Sequence, residues 1–186
     1  MLNKNILDIL GENPVVAAVK ESKLEKAIAS PSDVIFLLGG SILNIRNDID
    51  IVHRANKLLF VHIDLTEGIG KDKTGIEFLA KCGVDGIVST RVNMIKYAKD
   101  CRLYAVQRFF ALDTQGLNSI SDMLSNNSPD FIEIMPGVIE KVIERFSSCG
   151  IPLIAGGLIE TKREVTTALN YGAFAVSTGK EELWYI

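Results

Sequence analysis

Short, continuous apolar runs recur along the chain at spacings of 19 to 28 residues, beginning near Val15, Val34, Leu58, Val84, Leu103, Phe131, Leu153 and Ala173. Each reads as a β-strand. Runs such as Val34-Ile35-Phe36-Leu37-Leu38 lack the polar alternation of a sheet with one wet face, and unbroken apolar strands suit a sheet covered on both faces. Seven stretches of helical character separate the eight runs, which predicts parallel strands joined by crossover helices. Ser22-Lys23-Leu24-Glu25 has capping-box spacing before the first of them. Ser41 stands ahead of Ile42, Ile45, Ile49 and Val52, apolar at helical spacing. Asp72 or Thr74 opens another helix, stopped near Gly83. Pro136-Gly137 separates the sixth run from Val138-Ile139-Val142-Ile143-Phe146. Thr161 and Glu164 repeat the capping-box spacing, and Gly172 is placed to end that helix.

No linker, low-complexity segment or shift in composition divides the chain, so residues 1–186 are expected to form one domain. Eight βα units favour a closed TIM-type (β/α)8 barrel, since open doubly wound sheets more often have five or six strands. The 186 residues are few for such a barrel. The last helix is therefore expected to be truncated, a stub over residues 180–186 packed down by Trp184.

Composition narrows the class. Hydrophobic residues make up 47% of the chain, which fits a compact core and excludes a disordered chain. No apolar run reaches the roughly 18–20 residues that span a bilayer. The first 16 residues contain Asp8 and Glu12 and lack a basic start followed by a long apolar stretch, so they make a poor signal peptide. Cys82, Cys101 and Cys149 are odd in number and far apart, with no Cys-x-x-Cys. They read as small buried or half-buried residues in a reducing cytoplasm. The net charge of −3 argues against a general nucleic-acid binder, yet leaves room for a local basic patch.

The candidate chemistry lies at the ends of the runs, because barrel ligands sit at the C-terminal ends of the strands. Ala155-Gly156-Gly157 and Ser177-Thr178-Gly179 follow the seventh and eighth runs. Small residues there leave backbone N–H groups bare, and barrels grip phosphate with these two loops. Reading the other ends adds Lys20, Gly39-Gly40, His62 with Asp64, Ser89-Thr90-Arg91, Gln107-Arg108, and Glu133 with Met135. Cations there offset phosphate charge, and carboxylates accept from hydroxyls. Asp64 and Thr66 also have the chemistry to cap the next turn. Glu133, inside an apolar strand, is either half of an interior ion pair or a ligand acceptor. His53 and His62 read as core or surface residues. No Ser/His/Asp or Cys/His arrangement and no metal-ligand spacing is present, so no catalytic or metal residue is assigned. Two classes remain open on the residues alone: a phosphate-binding barrel enzyme (isomerase, aldolase or lyase) acting on a small sugar or triose phosphate, with Lys20, Asp64 and Glu133 as candidates, or a ligand sensor without chemistry.

Several segments together bear a family likeness: His62-Ile63-Asp64-Leu65 with Gly68, Asp85 through Arg91, Gln107-Arg108-Phe109-Phe110 with Leu112-Asp113, Pro129 through Glu133 with Met135-Pro136-Gly137, Ala155 through Ile159, Ala175 through Thr178, and Leu183-Trp184. This ordered set resembles the glycerol-3-phosphate-responsive antiterminators, the regulatory proteins of glycerol uptake operons. The resemblance implies a cytoplasmic bacterial regulator with a barrel fold. Such a protein senses glycerol 3-phosphate, needs no cofactor, binds the leader of glycerol-utilisation mRNA, and prevents premature transcription termination. It is not an enzyme; homo-oligomers fit the same reading. With the strand-end pattern it implies a ligand mouth of Lys20, Asp64, Arg91, Arg108, Glu133, Gly156, Gly157, Ser177 and Thr178. Lys96, Lys99 and Arg102 form the densest basic stretch and are the candidate RNA contacts, with Lys71/Lys73 and Lys162/Arg163 as other basic clusters.

Overall fold

A computed structural model describes residues 5–125 and 127–186. The strands are β1 (Val15–Val19), β2 (Val34–Leu37), β3 (Leu58–His62), β4 (Gly86–Ser89), β5 (Tyr104–Phe110), β6 (Phe131–Met135), β7 (Leu153–Gly156) and β8 (Ala175–Thr178). Each pairs in parallel with the next, and β8 pairs with β1, which closes a TIM-type (β/α)8 barrel. The helices are α1 (Ile6–Glu12), α2 (Leu24–Ala29), α3 (Ile45–Arg54), α4 (Lys73–Cys82), α5 (Val92–Asp100), α6 (Thr114–Ser125), α7 (Glu140–Ser147) and α8 (Lys162–Asn170). None of the described helices is long and apolar enough to cross a membrane.

Strand residues alternate between two cores, as the two-residue period requires. Val16, Phe36, Phe60, Val106, Phe131 and Ile154 fill the barrel. Ala17, Ile35, Val61, Ala105, Ile132 and Ala155 face the helices. Burial on both sides explains why the strands read as unbroken apolar runs.

The N-terminal helix α1 was not foreseen. Asn5 caps it by accepting from the Leu7 N–H at 3.2 Å, and its apolar stripe, Ile6, Ile9 and Leu10, packs into the interior cluster at the N-terminal ends of the strands. It closes the barrel floor and leaves the opposite end as the mouth.

Three expected strand starts fall early. Val84, Leu103 and Ala173 precede β4, β5 and β8, and each donates its N–H back into the preceding helix, to Leu79, Ala98 and Ala168. These are helix-ending bonds of the 6→1 kind, so the apolar residue closes the helix before the strand begins. Asp72 caps α4, Gly83 follows it, and Thr161 with Glu164 forms the expected capping box on α8, with Gly172 just past its end.

Other expectations need correcting. Ser22 does not open a capping box: a 3-10 turn over Glu21–Lys23 leads into α2, and no side chain caps it. α3 begins at Ile45, because residues 41–44 form a turn in which the Ser41 hydroxyl accepts from the Leu43 N–H at 3.3 Å, leaving Leu43 exposed. Cys82 and Cys101 are half-buried, whereas Cys149 is exposed in the connection before β7. The C-terminal stub is a 3-10 turn, Glu181–Tyr185, anchored by Trp184, whose indole N–H donates to the Thr178 carbonyl at 2.9 Å.

Candidate functional site

The mouth is organised around a charge pair made by strand register. Arg108 on β5 is the register partner of Glu133 on β6, and both share the inward parity of Val106 and Phe131. Arg108 Nε donates to Glu133 Oε2 at 2.5 Å, with both side chains buried. Glu133 Oε1 accepts from the Ser177 hydroxyl of β8 at 2.6 Å. That bond passes over β7, and only glycine permits it: a Cβ on Gly156 would lie 2.6 Å from both oxygens. Glu133 is therefore an interior ion-pair member. Each of its oxygens keeps a second lone pair for a further donor.

Arg108 has further donors. Its Nη atoms have no protein partner among the described residues. Arg108 lines a cavity of about 140 Å³ with Glu133, Met135, Gly157, Leu158, Ser177 and Gly179, among others. Gly157 and Leu158 hold φ of 75° and 60°, both in the left-handed region. Among the described residues, the N–H groups of Gly157, Leu158 and Gly179 make no hydrogen bond. Thr178 fixes the two loops together: its hydroxyl donates to the Ile159 carbonyl at 2.8 Å and accepts from the Lys180 N–H at 3.1 Å. Its side chain is thus engaged in holding the loops, while Gly156 and Ser177 face the interior.

The β3–β4 side of the mouth is built differently. Asp64, in the 3-10 turn Ile63–Leu65, accepts from the Ser89 hydroxyl at 2.9 Å, the Thr90 N–H at 2.8 Å and the Thr90 hydroxyl at 3.2 Å. Arg91 Nε lies 3.4 Å away. Asp64 thereby brackets two successive loops instead of capping its own turn. Thr66 donates to the His62 carbonyl at 3.0 Å.

His62 and Lys71 complete this side; the strand-end reading placed His62 with Asp64 but read it as a core or surface residue, and it did not include Lys71. His62 is buried, its Nδ1 unpartnered among the described residues and 4.0 Å from Asp64 Oδ2. Burial, reinforced by the Arg108 charge and opposed by Asp64, pushes its imidazole down to about 4. Its place was legible in the alternation with Phe60 on β3. Lys71 donates to the Thr66 carbonyl. Burial lowers its ammonium from the usual lysine range, with Asp64 opposing and Arg91 adding to the effect. Arg108 and Lys71 thus both act on a neutral imidazole, an arrangement that an anion would relieve.

Lys20 lies apart. It is exposed and borders an open depression of about 580 Å³ on the β1–β3 side, with Gly39, Gly40, Leu65 and Glu67; Leu38 borders both hollows. Lys96, Lys99 and Arg102 lie outside the barrel. Lys99 is ion-paired with Asp130, which also accepts from the Ala105 N–H, so Lys99 ties α5 to the sheet edge. No group of three or more histidine, cysteine, aspartate or glutamate side chains is placed to hold a metal among the described residues.

Comparison with known proteins agrees with this architecture. A protein of Escherichia coli strain K12, called uncharacterized protein YgcP, is 36% identical over 185 residues, covering 96% of this chain and 95% of its own. The crystal structure of the glycerol uptake operon antiterminator regulatory protein from Listeria monocytogenes superposes with a TM-score of 0.88 at 30% identity, over 99% of this chain and 97% of that one. A glycerol uptake operon antiterminator-related protein from Thermotoga maritima does so with a TM-score of 0.83 at 31% identity, over 91% and 96%. The family pattern described as glycerol-3-phosphate responsive antiterminator matches residues 15–184, nearly the whole barrel, and the chain belongs to that family.

Proposed function

We propose that the barrel mouth binds glycerol 3-phosphate and that, so loaded, the protein binds the leader of glycerol-utilisation mRNA in the bacterial cytoplasm and prevents premature termination. The observation that carries this reading is Arg108. Glu133 orients its guanidinium through Nε, and Arg108 lines a small cavity together with Gly157, Leu158 and Gly179, whose backbone N–H groups are bare among the described residues. A guanidinium with free donors beside bare backbone N–H groups suits an anion. Phosphate sits against Arg108, Gly157, Leu158 and Gly179, and the glycerol hydroxyls reach Glu133 and Ser177. The cavity is below the ~300–1,000 Å³ of drug-sized pockets, which favours a very small ligand.

The same geometry supports a regulator without turnover. Among the three candidate catalytic groups, Lys20 is exposed outside the pocket, Asp64 is saturated by Ser89 and Thr90, and Glu133 is held by Arg108 and Ser177. None of these three groups is left free to move a proton, and the reading requires no cofactor. Titration calorimetry with glycerol 3-phosphate, glycerol and inorganic phosphate tests it. Glycerol 3-phosphate is expected to bind, and at 100 times its Kd to stabilise the fold by about 2.7 kcal/mol. Glycerol alone is expected not to bind. Equal binding of glycerol, or conversion of the ligand during the titration, contradicts the reading.

A further inference from the structure

We propose that His62 determines ligand specificity at the far end of the mouth, where its imidazole bonds the hydroxyl most remote from the phosphate. This rests on the glycerol 3-phosphate reading above and adds a contact which that reading does not use. The observation behind it is a buried orphan. The His62 side chain is 4% exposed, yet its Nδ1 makes no hydrogen bond among the described residues. Asp64 Oδ2, at 4.0 Å, is too distant to serve, and it already accepts from Ser89 and Thr90. Buried polar atoms are normally paired, so one left open inside a ligand mouth points to a missing partner.

Strand register places this orphan opposite the phosphate end. A step of two strands across and two residues up leads from Ala18 to His62, from His62 to Arg108, from Arg108 to Gly156, and back to Ala18. These four are therefore one level ring of inward positions on alternate strands, the layering of a (β/α)8 barrel. The ring two residues lower, Val16, Phe60, Val106 and Ile154, belongs to the apolar interior. In the upper ring Ala18 and Gly156 contribute little or no side chain, and the cavity that Arg108 lines also touches Ala18. His62 on β3 stands across the barrel axis from Gly156 on β7. A ligand whose phosphate lies at the Gly157–Leu158 turn points its other end across the ring. It passes Glu133 and Ser177, on the two strands that flank β7, and its remote hydroxyl arrives at His62.

The chemistry of the two groups matches. Burial and the Arg108 charge, opposed by Asp64, keep the imidazole neutral near pH 7, so it offers one N–H and one lone pair. A hydroxyl both donates and accepts, and pairs with either nitrogen. A methyl group in the same place does neither and leaves the orphan buried.

Calorimetry tests this with glycerol 3-phosphate, propane-1,2-diol 1-phosphate, which lacks the remote hydroxyl, and 3-hydroxypropyl phosphate, which lacks the middle one. Wild type is expected to bind propane-1,2-diol 1-phosphate about tenfold more weakly than glycerol 3-phosphate, the worth of one hydrogen bond. His62→Phe is expected to bind those two alike and still to prefer glycerol 3-phosphate to 3-hydroxypropyl phosphate, a preference that an unfolded variant could not retain. A second measurement needs no variant, because the chain holds only two histidines. In nitrogen NMR of the histidine rings, glycerol 3-phosphate is expected to shift the His62 signals. Those of His53, bonded on α3 to Asp85 at 2.8 Å, are expected to stay in place. The proposal is overturned if wild type shows no preference for the remote hydroxyl, if His62→Phe keeps that preference in full, or if bound glycerol 3-phosphate leaves the His62 signals unmoved. Failure of the wild type to bind glycerol 3-phosphate at all is a different result: it removes the ligand reading on which this contact depends.

Discussion

Arg108 and Glu133 are cross-strand register partners whose side chains meet at 2.5 Å inside the barrel, and neither can be removed without stranding the other. Breaking one side of a buried pair costs about 3–5 kcal/mol, whereas replacing both by apolar residues is often neutral. Urea denaturation is therefore expected to show Arg108→Ala and Glu133→Leu each destabilised by about that amount, and Arg108→Met/Glu133→Leu near wild type. The double variant is expected to fold yet fail to bind glycerol 3-phosphate. If it binds, the pair is architectural only and the ligand sits elsewhere.

Two buried groups pull stability in opposite directions as pH changes. His62 is held down to about 4 by burial and Arg108, so between about 4 and 6.5 the unfolded chain binds more protons and stability rises with pH. Asp48 on α3, 4% exposed with Oδ2 unpartnered among the described residues, is pushed up to about 6 by burial and by Glu21. Between 3.8 and about 6 the folded chain binds more protons there, so stability falls with pH. Each contribution is roughly 3 kcal/mol across its window, and they largely cancel. Relative to wild type, Asp48→Asn is expected to gain stability as pH rises from 4 to 6, and His62→Gln to lose it. Chemical denaturation at several pH values checks both signs; parallel curves for all three proteins contradict the assignment.

Gly156 is the gap across which Glu133 reaches Ser177. Gly156→Ala places a methyl 2.6 Å from both oxygens. Overpacking of this kind costs about 1–3 kcal/mol, and calorimetry is expected to show lost ligand affinity as well. Adding Ser177→Ala frees one side and is expected to recover part of the stability. Wild-type stability and ligand affinity in Gly156→Ala would mean that the Glu133–Ser177 bond does not shape the pocket.

The barrel was legible because its strands are buried on both faces: eight runs such as Val34-Ile35-Phe36-Leu37-Leu38 needed only counting. Helix α1 was missed because its stripe, Ile6, Ile9 and Leu10, is one short turn and a half, too brief to stand out by period. At the site, the strand-end rule found Arg108, Glu133, Gly156 and Ser177, residues that the structure brings into one cluster. It could not separate Ser177, which points inward, from Thr178, whose hydroxyl locks two loops, because parity at a strand end depends on register. Lys71 lay outside the rule altogether. It sits six residues beyond the 3-10 turn Ile63–Leu65, and only the fold of that loop returns it to the mouth.

The measurement that bears most directly on the central claim is a leader-RNA titration with and without glycerol 3-phosphate, against a scrambled RNA, paired with a ligand titration with and without leader RNA. Glycerol 3-phosphate is expected to tighten leader binding, and the leader to tighten ligand binding by the same factor, as linkage requires. Leader and scrambled RNA bound alike, with an affinity indifferent to the ligand, would contradict it.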